Sequence, residues 1–237
     1  MADKLYSVLL PTYNEIGNIS IIIPMIIQYA EKGKYAIEIV VVDDSSPDGT
    51  GKAVEKLQSK YSCIKMLTRK EKMGLGSAYM DGLKLCSGKF VFLMDADFSH
   101  HPRYMAEFIL KQEKTGADIV TGTRYAYNGG VCGWNAYRIL TSKIGNFIAH
   151  FLLKPEASDL TGSFRLYKKD VLEKIMPLMK TRGYVFQMEA IVRAQYMGCK
   201  IEEVPIIFVD RVYGESKLGT NEIVQYLKGV WQIMRSL

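Results

Sequence analysis

Short apolar runs, each followed by a polar loop, recur along the first half of the chain. Residues 90–94 are uninterruptedly apolar and rich in aromatic and β-branched side chains, which is typical of a strand buried on both faces. Similar runs occupy residues 6–10, 38–42, 63–68 and 117–121. Helix-like stretches separate most of them. This alternation predicts an α/β fold with a mostly parallel sheet flanked by helices.

Proline and turn signals set the expected limits of the first helices. The apolar run from residue 17 to 30 predicts a helix packed on the sheet, which Pro24 should kink or delay. The turn signal at residues 47–49 precedes a second predicted helix over residues 50–61.

Two later stretches are amphipathic and predict helices at a membrane surface. Apolar residues of 134–153 fall on one helical face, which either packs on the core or lies in a membrane interface; we favour the interface. Residues 220–237 predict a second interfacial or partner-binding helix. Neither stretch reaches the roughly 18 uncharged apolar residues of a spanning helix.

Length and charge restrict the class of protein. The chain has 237 residues, which suits one domain of the larger α/β kind, and it carries a net charge of +6. A basic surface favours nucleotide diphosphates, lipid phosphates or an anionic membrane. No nucleic-acid-binding motif is present, so we expect no nucleic-acid partner.

The cysteines and the N-terminus bear on the cellular compartment. The four cysteines are scattered and form no Cys-x-x-Cys pair, which argues against a zinc site or a disulfide framework and suggests a reducing compartment. The chain enters its first strand without a signal peptide. Because no stretch is long enough to form a spanning helix, we expect any attachment to membranes to be peripheral.

Carboxylates cluster at the ends of the predicted strands. Asp95 and Asp97 directly follow the run 90–94, and Glu15 and Asp44 follow two earlier runs. Asp-x-Asp alone often occurs by chance in turns, but three carboxylate-bearing loops at one edge of a parallel sheet indicate a ligand site. A hard divalent cation shared with phosphates would neutralise such a pair. The pattern predicts a diphosphate site.

Five segments of the chain carry a family resemblance, and they are residues 10–15, 43–50, 94–97, 159–165 and 208–218. They resemble the dolichyl-phosphate mannosyltransferases, which are inverting family 2 glycosyltransferases of the GT-A type. The resemblance covers nearly the whole chain and implies a single GT-A domain over residues 1–237. It also implies transfer of mannose from GDP-mannose to dolichyl phosphate, whose product serves glycosylation and GPI anchor synthesis. Ser45 departs from the pattern, which has Gly there, and should stiffen the turn.

The resemblance assigns residues to the donor side. It implies that Asp95 and Asp97 bind Mg²⁺ or Mn²⁺, with Ser99 near the metal. Adjacent His100 and His101 invite the same role, but their side chains diverge, and a capping or structural role suits at least one of them better. Further donor contacts are implied for Pro11, Tyr13, Glu15, Val42, Asp44, Ala96, Arg211 and Lys217.

The resemblance also assigns residues to the acceptor and the sugar. Arg124, Arg138 and Ser142 should hold the acceptor phosphate, since two guanidiniums and a hydroxyl suit such a group; the alternative for Arg138 is an exposed helical arginine. The implied sugar-pocket residues are Asp159, Gln187 and Glu189. The alternative for these residues is helix capping or buried hydrogen bonding.

The implied chemistry is a direct displacement. Asp97, Arg124, Arg211 and Lys217 are the predicted catalytic residues. The acceptor phosphate is already ionised, so no dedicated general base is required. The implied location is the cytosolic face of the endoplasmic reticulum membrane, with small membrane-anchoring subunits as partners. A UDP-glucose-dependent dolichyl-phosphate glucosyltransferase, a processive polysaccharide synthase and a non-catalytic nucleotide-binding subunit remain as alternatives.

Overall fold

The computed structural model describes residues 4–181, 185–210 and 220–236, without the side chains of 220–224. The strands are β1 (Leu5–Thr12), β2 (Ala36–Asp43), β3 (Ile64–Thr68), β4 (Phe90–Leu93), β5 (Ile119–Thr123), β6 (Gly130–Cys132), β7 (Arg165–Lys168), β8 (Ile201–Pro205) and β9 (Ile207–Val209). The helices are α1 (Ile16–Gly33), α2 (Thr50–Gln58), α3 (Leu75–Leu83), α4 (Met105–Thr115), α5 (Ala136–Leu153), α6 (Lys169–Ile175), α7 (Phe186–Tyr196) and α8 (Thr220–Met234).

A seven-stranded sheet runs in the order β3-β2-β1-β4-β7-β5-β8. The first four strands are parallel, as predicted, and β8 runs parallel to β5. Strand β7 is antiparallel to both of its neighbours, β4 and β5. A second, two-stranded sheet of β6 and β9 was not predicted. The mostly parallel sheet of the sequence-based expectation is confirmed, with one reversed strand near its centre.

Helices cover both faces of the large sheet. On one face, Ile19, Ile22 and Ile23 of α1 pack with Val8 and other alternate strand residues. On the opposite face, helices α3, α5, α6 and α7 pack on the intervening strand residues. Successive residues of β4 enter the two clusters in turn, so this strand is buried on both faces as its apolar run predicts.

Several element limits differ from those expected. Helix α1 continues through Pro24 without a break, so the predicted delay is wrong. Helix α2 ends at Gln58, three residues early, and the strand expected over 117–121 is shifted to β5. The helix expected from about residue 184 begins at Phe186, while residue 184 lies outside the described ranges. Tertiary packing decides such limits more than local pattern does.

Candidate functional site

The carboxyl ends of β1, β2 and β4 meet at one edge of the sheet, as predicted. Pro11 pairs with Val42 in the register of β1 and β2, which places two expected donor contacts side by side. The loop after β1 is tied to the loop after β2 because the Asn14 amide donates to Ser46 Oγ and the Glu15 amide donates to Thr50 Oγ1. These hydrogen bonds therefore hold the two loops together at this edge of the sheet.

Asp97 and Asp95 follow β4 at this edge. Asp97 is 4% exposed, and its Oδ1 accepts hydrogen bonds from the Ser99 amide at 3.1 Å and from Ser99 Oγ at 2.5 Å. Asp95 is more open, and its Oδ2 accepts a hydrogen bond from Ser163 Oγ at 2.6 Å. Ser99 thus orients Asp97, and Ser163 on the segment before β7 orients Asp95.

The carboxylate oxygens of Asp95 and Asp97 suit a divalent cation shared between them. Two carboxylates offer hard oxygen ligands of the kind that Mg²⁺ and Mn²⁺ prefer. Among the described residues, no group of three or more His, Cys, Asp or Glu side chains converges to hold an ion alone. A cation at Asp95 and Asp97 would therefore need further oxygens, which a donor diphosphate supplies.

The two histidines after the carboxylates have different roles. His101 Nδ1 accepts a hydrogen bond from the Arg103 amide and caps the short 3₁₀ turn Pro102–Tyr104, which confirms the predicted capping role. His100 is buried and stacks on Phe164 with ring centroids 5.2 Å apart. Its Nδ1 accepts from the Asp95 amide, and burial lowers its pKa, so the ring is neutral and helps to fix the Asp95 backbone.

Sequence reasoning missed a buried arginine beside Asp44. Arg69, directly after β3, contacts Asp44 Oδ1 through Nε and Nη2, and its Nη1 donates to Ser77 Oγ at 2.7 Å. Lys72 lies 3.8 Å from the centroid of the Tyr13 ring. The only signal in the sequence is the position of Arg69 at a strand end, in a basic run that resembles a solvated loop.

Arg69 also fixes the position of Asp44. Both side chains are buried, and the guanidinium contacts the Asp44 carboxylate directly. Beside it, Ser45 has a φ of 57°, in the left-handed region that favours Gly. Because Ser stands where the family pattern has Gly, the turn at residue 45 is strained as well as stiffer.

A second buried ion pair joins the segment after β5 to the segment before β7. Arg124 donates to Asp159 through Nε at 2.6 Å and Nη2 at 2.7 Å, and Nη2 also donates to Thr161 Oγ1. Burial by itself would raise the pKa of Asp159, but the Arg124 guanidinium outweighs it and lowers that pKa. For Asp159 the structure favours the alternative of buried hydrogen bonding over a place on an open sugar pocket.

Arg138 and Ser142 lie one turn apart on α5, as predicted. Arg138 Nη1 contacts both carboxylate oxygens of Asp210, and its guanidinium lies 4.1 Å from the Trp134 ring centroid. Ser142 Oγ shares a 2.6 Å hydrogen bond with Tyr125 OH. A cavity of about 600 Å³ opens between α5 and the segment after β5, and its lining includes Arg124, Tyr125, Ile139, Lys143, Asn146 and Phe147.

The remaining predicted sugar ligands are buried. Glu189 accepts hydrogen bonds from the amides of Lys180 and Thr181 and from Arg193 Nε, which favours the structural alternative for this residue. Gln187 Nε2 donates to Tyr79 OH at 3.4 Å, and Gln187 Oε1 has no partner within the described ranges. The predicted donor contacts Arg211 and Lys217 lie outside the described residues.

The fold and the carboxylate-bearing edge are those of a glycosyltransferase, and residues 7–176 match Glycosyl transferase family 2. The chain belongs to this family. It is 37% identical over 221 residues to polyprenol monophosphomannose synthase of Mycolicibacterium smegmatis, covering 91% of this chain and 82% of that protein. It is 36% identical over 231 residues to dolichol-phosphate mannosyltransferase of Pyrococcus furiosus, covering 97% of this chain but only 63% of that protein.

Solved structures confirm the GT-A fold. Glucosyl-3-phosphoglycerate synthase from Mycobacterium tuberculosis superposes with a TM-score of 0.71 at 17% identity, covering 98% of this chain and 80% of that chain. The same enzyme crystallised with Mn²⁺, UDP and glucosyl-3-phosphoglycerate gives a TM-score of 0.69, covering 98% of this chain and 79% of that chain. At such low identity the likeness shows the fold alone.

Proposed function

We propose that the protein transfers mannose from GDP-mannose to a polyprenyl phosphate, dolichyl phosphate in the first place, with inversion at the anomeric carbon. The products are the β-linked polyprenyl phosphate mannose and GDP. The observation that carries the proposal most is the 36–37% identity, over nearly the whole chain, to two enzymes named as polyprenol or dolichol phosphate mannose synthases. The carboxylates at the sheet edge agree with it.

On the donor side, Asp95 and Asp97 would hold Mg²⁺ or Mn²⁺, which stabilises the negative charge on the departing diphosphate. Asp44, which Arg69 holds in place, would accept hydrogen bonds from the base or ribose. Pro11, Tyr13 and Val42 border the same edge, and the Lys72 ammonium group lies over the ring of Tyr13. Arg211 and Lys217 remain proposed donor contacts.

On the acceptor side, Arg138 and Ser142 would bind the phosphate, with Arg124 at the border of the neighbouring cavity. A phosphate monoester is largely ionised at neutral pH because its second pKa is about 6. Its oxygen therefore needs to be held in line with the anomeric carbon rather than deprotonated. The new bond joins this oxygen to C1 of mannose, while the bond from C1 to the diphosphate breaks and its electron pair leaves with GDP.

Helices α5 and α8 present a shared surface that suits a lipid bilayer. Tyr226 OH on α8 donates to the Gly145 carbonyl on α5 at 2.9 Å, which holds the two helices together. Their outward side, here named the α5–α8 apolar face, consists of the exposed residues Tyr137, Leu140, Ile144, Phe147, Phe151, Leu152, Leu227, Trp231 and Met234. Within the described residues no helix is long and apolar enough to cross a bilayer.

We infer a peripheral position at the cytosolic face of the endoplasmic reticulum membrane, with small membrane-anchoring subunits as partners. An acceptor with a long isoprenoid chain stays in the bilayer, so the enzyme has to meet its phosphate at the surface. Helix α5, which carries part of this apolar face, also carries Arg138 and Ser142, and Lys143 on α5 and Lys228 on α8 are exposed. These lysines suit anionic headgroups.

Replacing Phe147 and Phe151 with Ser together should weaken binding to liposomes about tenfold or more, because each ring loses apolar area buried in the interface. The two side chains are 71% and 74% exposed, so the protein should remain folded. Sedimentation with liposomes containing anionic lipid measures the effect. Leu110→Ser on α4, also an exposed apolar side chain, is the matched control and should bind as the wild type does. Equal loss in both variants would argue against this face.

The proposed reaction is tested by incubating the purified chain with dolichyl phosphate in detergent, labelled GDP-mannose and Mg²⁺ or Mn²⁺. We expect a mannosyl lipid that is lost when a chelator removes the cation. UDP-glucose offered under the same conditions should give no glucosyl lipid. Product from UDP-glucose alone would favour the glucosyltransferase. Absence of product from either donor, despite GDP binding and added membranes, would favour a non-catalytic subunit.

A further inference from the structure

The guanidinium of Arg138 is engaged by an anion of the same chain. Both carboxylate oxygens of Asp210 accept hydrogen bonds from Arg138 Nη1, at 2.9 and 3.0 Å. Arg138 is the residue that the proposed function gives to the acceptor phosphate. The acceptor phosphate and Asp210 would therefore both bind the guanidinium of Arg138.

Both partners of this contact are anchored through their backbones. The Arg138 amide donates to the Asn135 side chain that caps α5, at 2.8 Å. The Asp210 amide donates to the Cys132 carbonyl at 2.9 Å and extends the β6–β9 pairing by one residue. A Cβ on Gly133, whose φ is 87°, would lie 2.9 Å from the Asp210 Cβ, so glycine permits this close approach. The contact is thus built by two anchored segments.

The contact uses only part of the guanidinium. Asp210 accepts from Nη1, whereas Nε and Nη2 of Arg138 donate to no acceptor within the described ranges. The flat face of the guanidinium rests on Trp134. A carboxylate held through one nitrogen misses the two-nitrogen fork that makes arginine a strong oxyanion ligand. A phosphate, with more oxygens, can take the fork and replace the carboxylate.

The proposed reaction changes the charge of the lipid phosphate. As a monoester the acceptor carries about −1.5 to −2 at neutral pH. After its oxygen has bonded to C1 of mannose it is a diester with a single negative charge, the same as that of Asp210. We propose that Asp210 competes with the lipid phosphate for Arg138, so that it yields to the acceptor and displaces the product. This inference rests on the proposed function.

The variant Asp210→Asn keeps the shape of the side chain and removes its charge. We expect the inhibition constant of the mannosyl lipid product and the KM for the acceptor to fall together, each about tenfold. The KM for GDP-mannose should stay unchanged, and kcat should not rise because product leaves more slowly. Asp210→Glu, which retains the carboxylate, should behave as the wild type. Unchanged product inhibition, or a higher acceptor KM, would overturn the proposal.

Two controls separate competition from a change in net charge or in fold. Glu173→Gln neutralises an acidic residue of the surface Lys169–Glu173 pair on α6, so it matches the charge change and should alter none of these constants. A double-mutant cycle with Arg138→Met should remove the effect of Asp210→Asn, because the contested guanidinium is gone. Persistence of the effect in the Arg138→Met background would contradict competition at this residue. Thermal melts should show all variants folded.

Binding measured without turnover distinguishes this inference from the proposed function. If the wild type makes no mannosyl lipid, the proposed function fails, and the competition is still measured by calorimetric titration with farnesyl phosphate. Asp210→Asn should bind this probe about tenfold more tightly than the wild type, and Glu173→Gln should not. Equal affinities of wild type and Asp210→Asn would overturn the inference whatever the transfer assay gives.

Discussion

A protein in which Asp97 is replaced by Ala is expected to transfer mannose about 10²–10³-fold more slowly than the wild type. Asp97 is nearly buried, and its carboxylate is oriented by both the amide and the hydroxyl of Ser99. Its removal takes away one of the two carboxylates that would share a divalent cation with the donor diphosphate. Initial rates at saturating GDP-mannose and acceptor measure the loss.

The variant Asp97→Asn separates charge from shape. Its amide oxygen still accepts from Ser99, so the loop after β4 should keep its geometry, but one ligand charge is lost. We expect a defect of similar size, together with weaker Mn²⁺ binding in the presence of GDP, which electron paramagnetic resonance detects. Asp170→Asn, at an exposed position on α6, is the matched control and should retain full activity. Near-normal transfer by a folded Asp97→Asn protein would refute the metal assignment.

Replacing Asp159 with Ala is expected to lower the free energy of unfolding by about 3–5 kcal/mol, because Arg124 is left as a buried, unpaired charge. Both side chains are buried, and Asp159 also accepts from the amides of Arg124 and Gly162. Denaturant unfolding followed by circular dichroism measures the change. The surface pair of half-buried Lys169 and exposed Glu173 provides the control, since Glu173→Gln should cost less than about 1 kcal/mol.

The double variant Arg124→Met with Asp159→Leu tests the cause of this destabilisation. Apolar side chains of similar size remove both charges, so the double variant should be more stable than Asp159→Ala alone. If it is equally unstable, the loss comes from packing or from the neighbouring hydrogen bonds and not from the unpaired guanidinium.

The Arg124–Asp159 ion pair also predicts how the stability of the folded protein depends on pH. The pKa of Asp159 is lowered in the folded protein, whereas in the unfolded chain it lies at about 3.9. Its contribution is therefore fully present above that unfolded value and is lost as the pH falls through the lower, folded one. The stability difference between wild type and Asp159→Asn should be constant near neutral pH and shrink only in strong acid.

The sequence predicts those features that depend on neighbouring residues. The apolar run 90–94 identifies a buried strand, and the position of Asp95 and Asp97 directly after it locates the site. The parallel order of β1, β2 and β4 follows from the helical stretches between them.

Features that depend on distant residues were not predictable. The Arg124–Asp159 pair joins residues 35 positions apart, and nothing local indicates that two plausible ligands satisfy each other. Arg69 lies in a basic run that is typical of a solvated loop, but it is buried against Asp44 at the carboxylate-bearing edge of the sheet. The reversed direction of β7 depends on where the chain returns to the sheet, which is a tertiary property.

The place of β7 in the sheet has a consequence for how the chain is assembled during synthesis. The parallel strands β3, β2, β1 and β4 are complete once residue 93 has left the ribosome, so the first part of the sheet is available early. Among the described residues, strand β5 pairs with β7 and β8, which come more than 40 residues later, according to the register. The four N-terminal strands can therefore associate before the second part of the sheet has been synthesised.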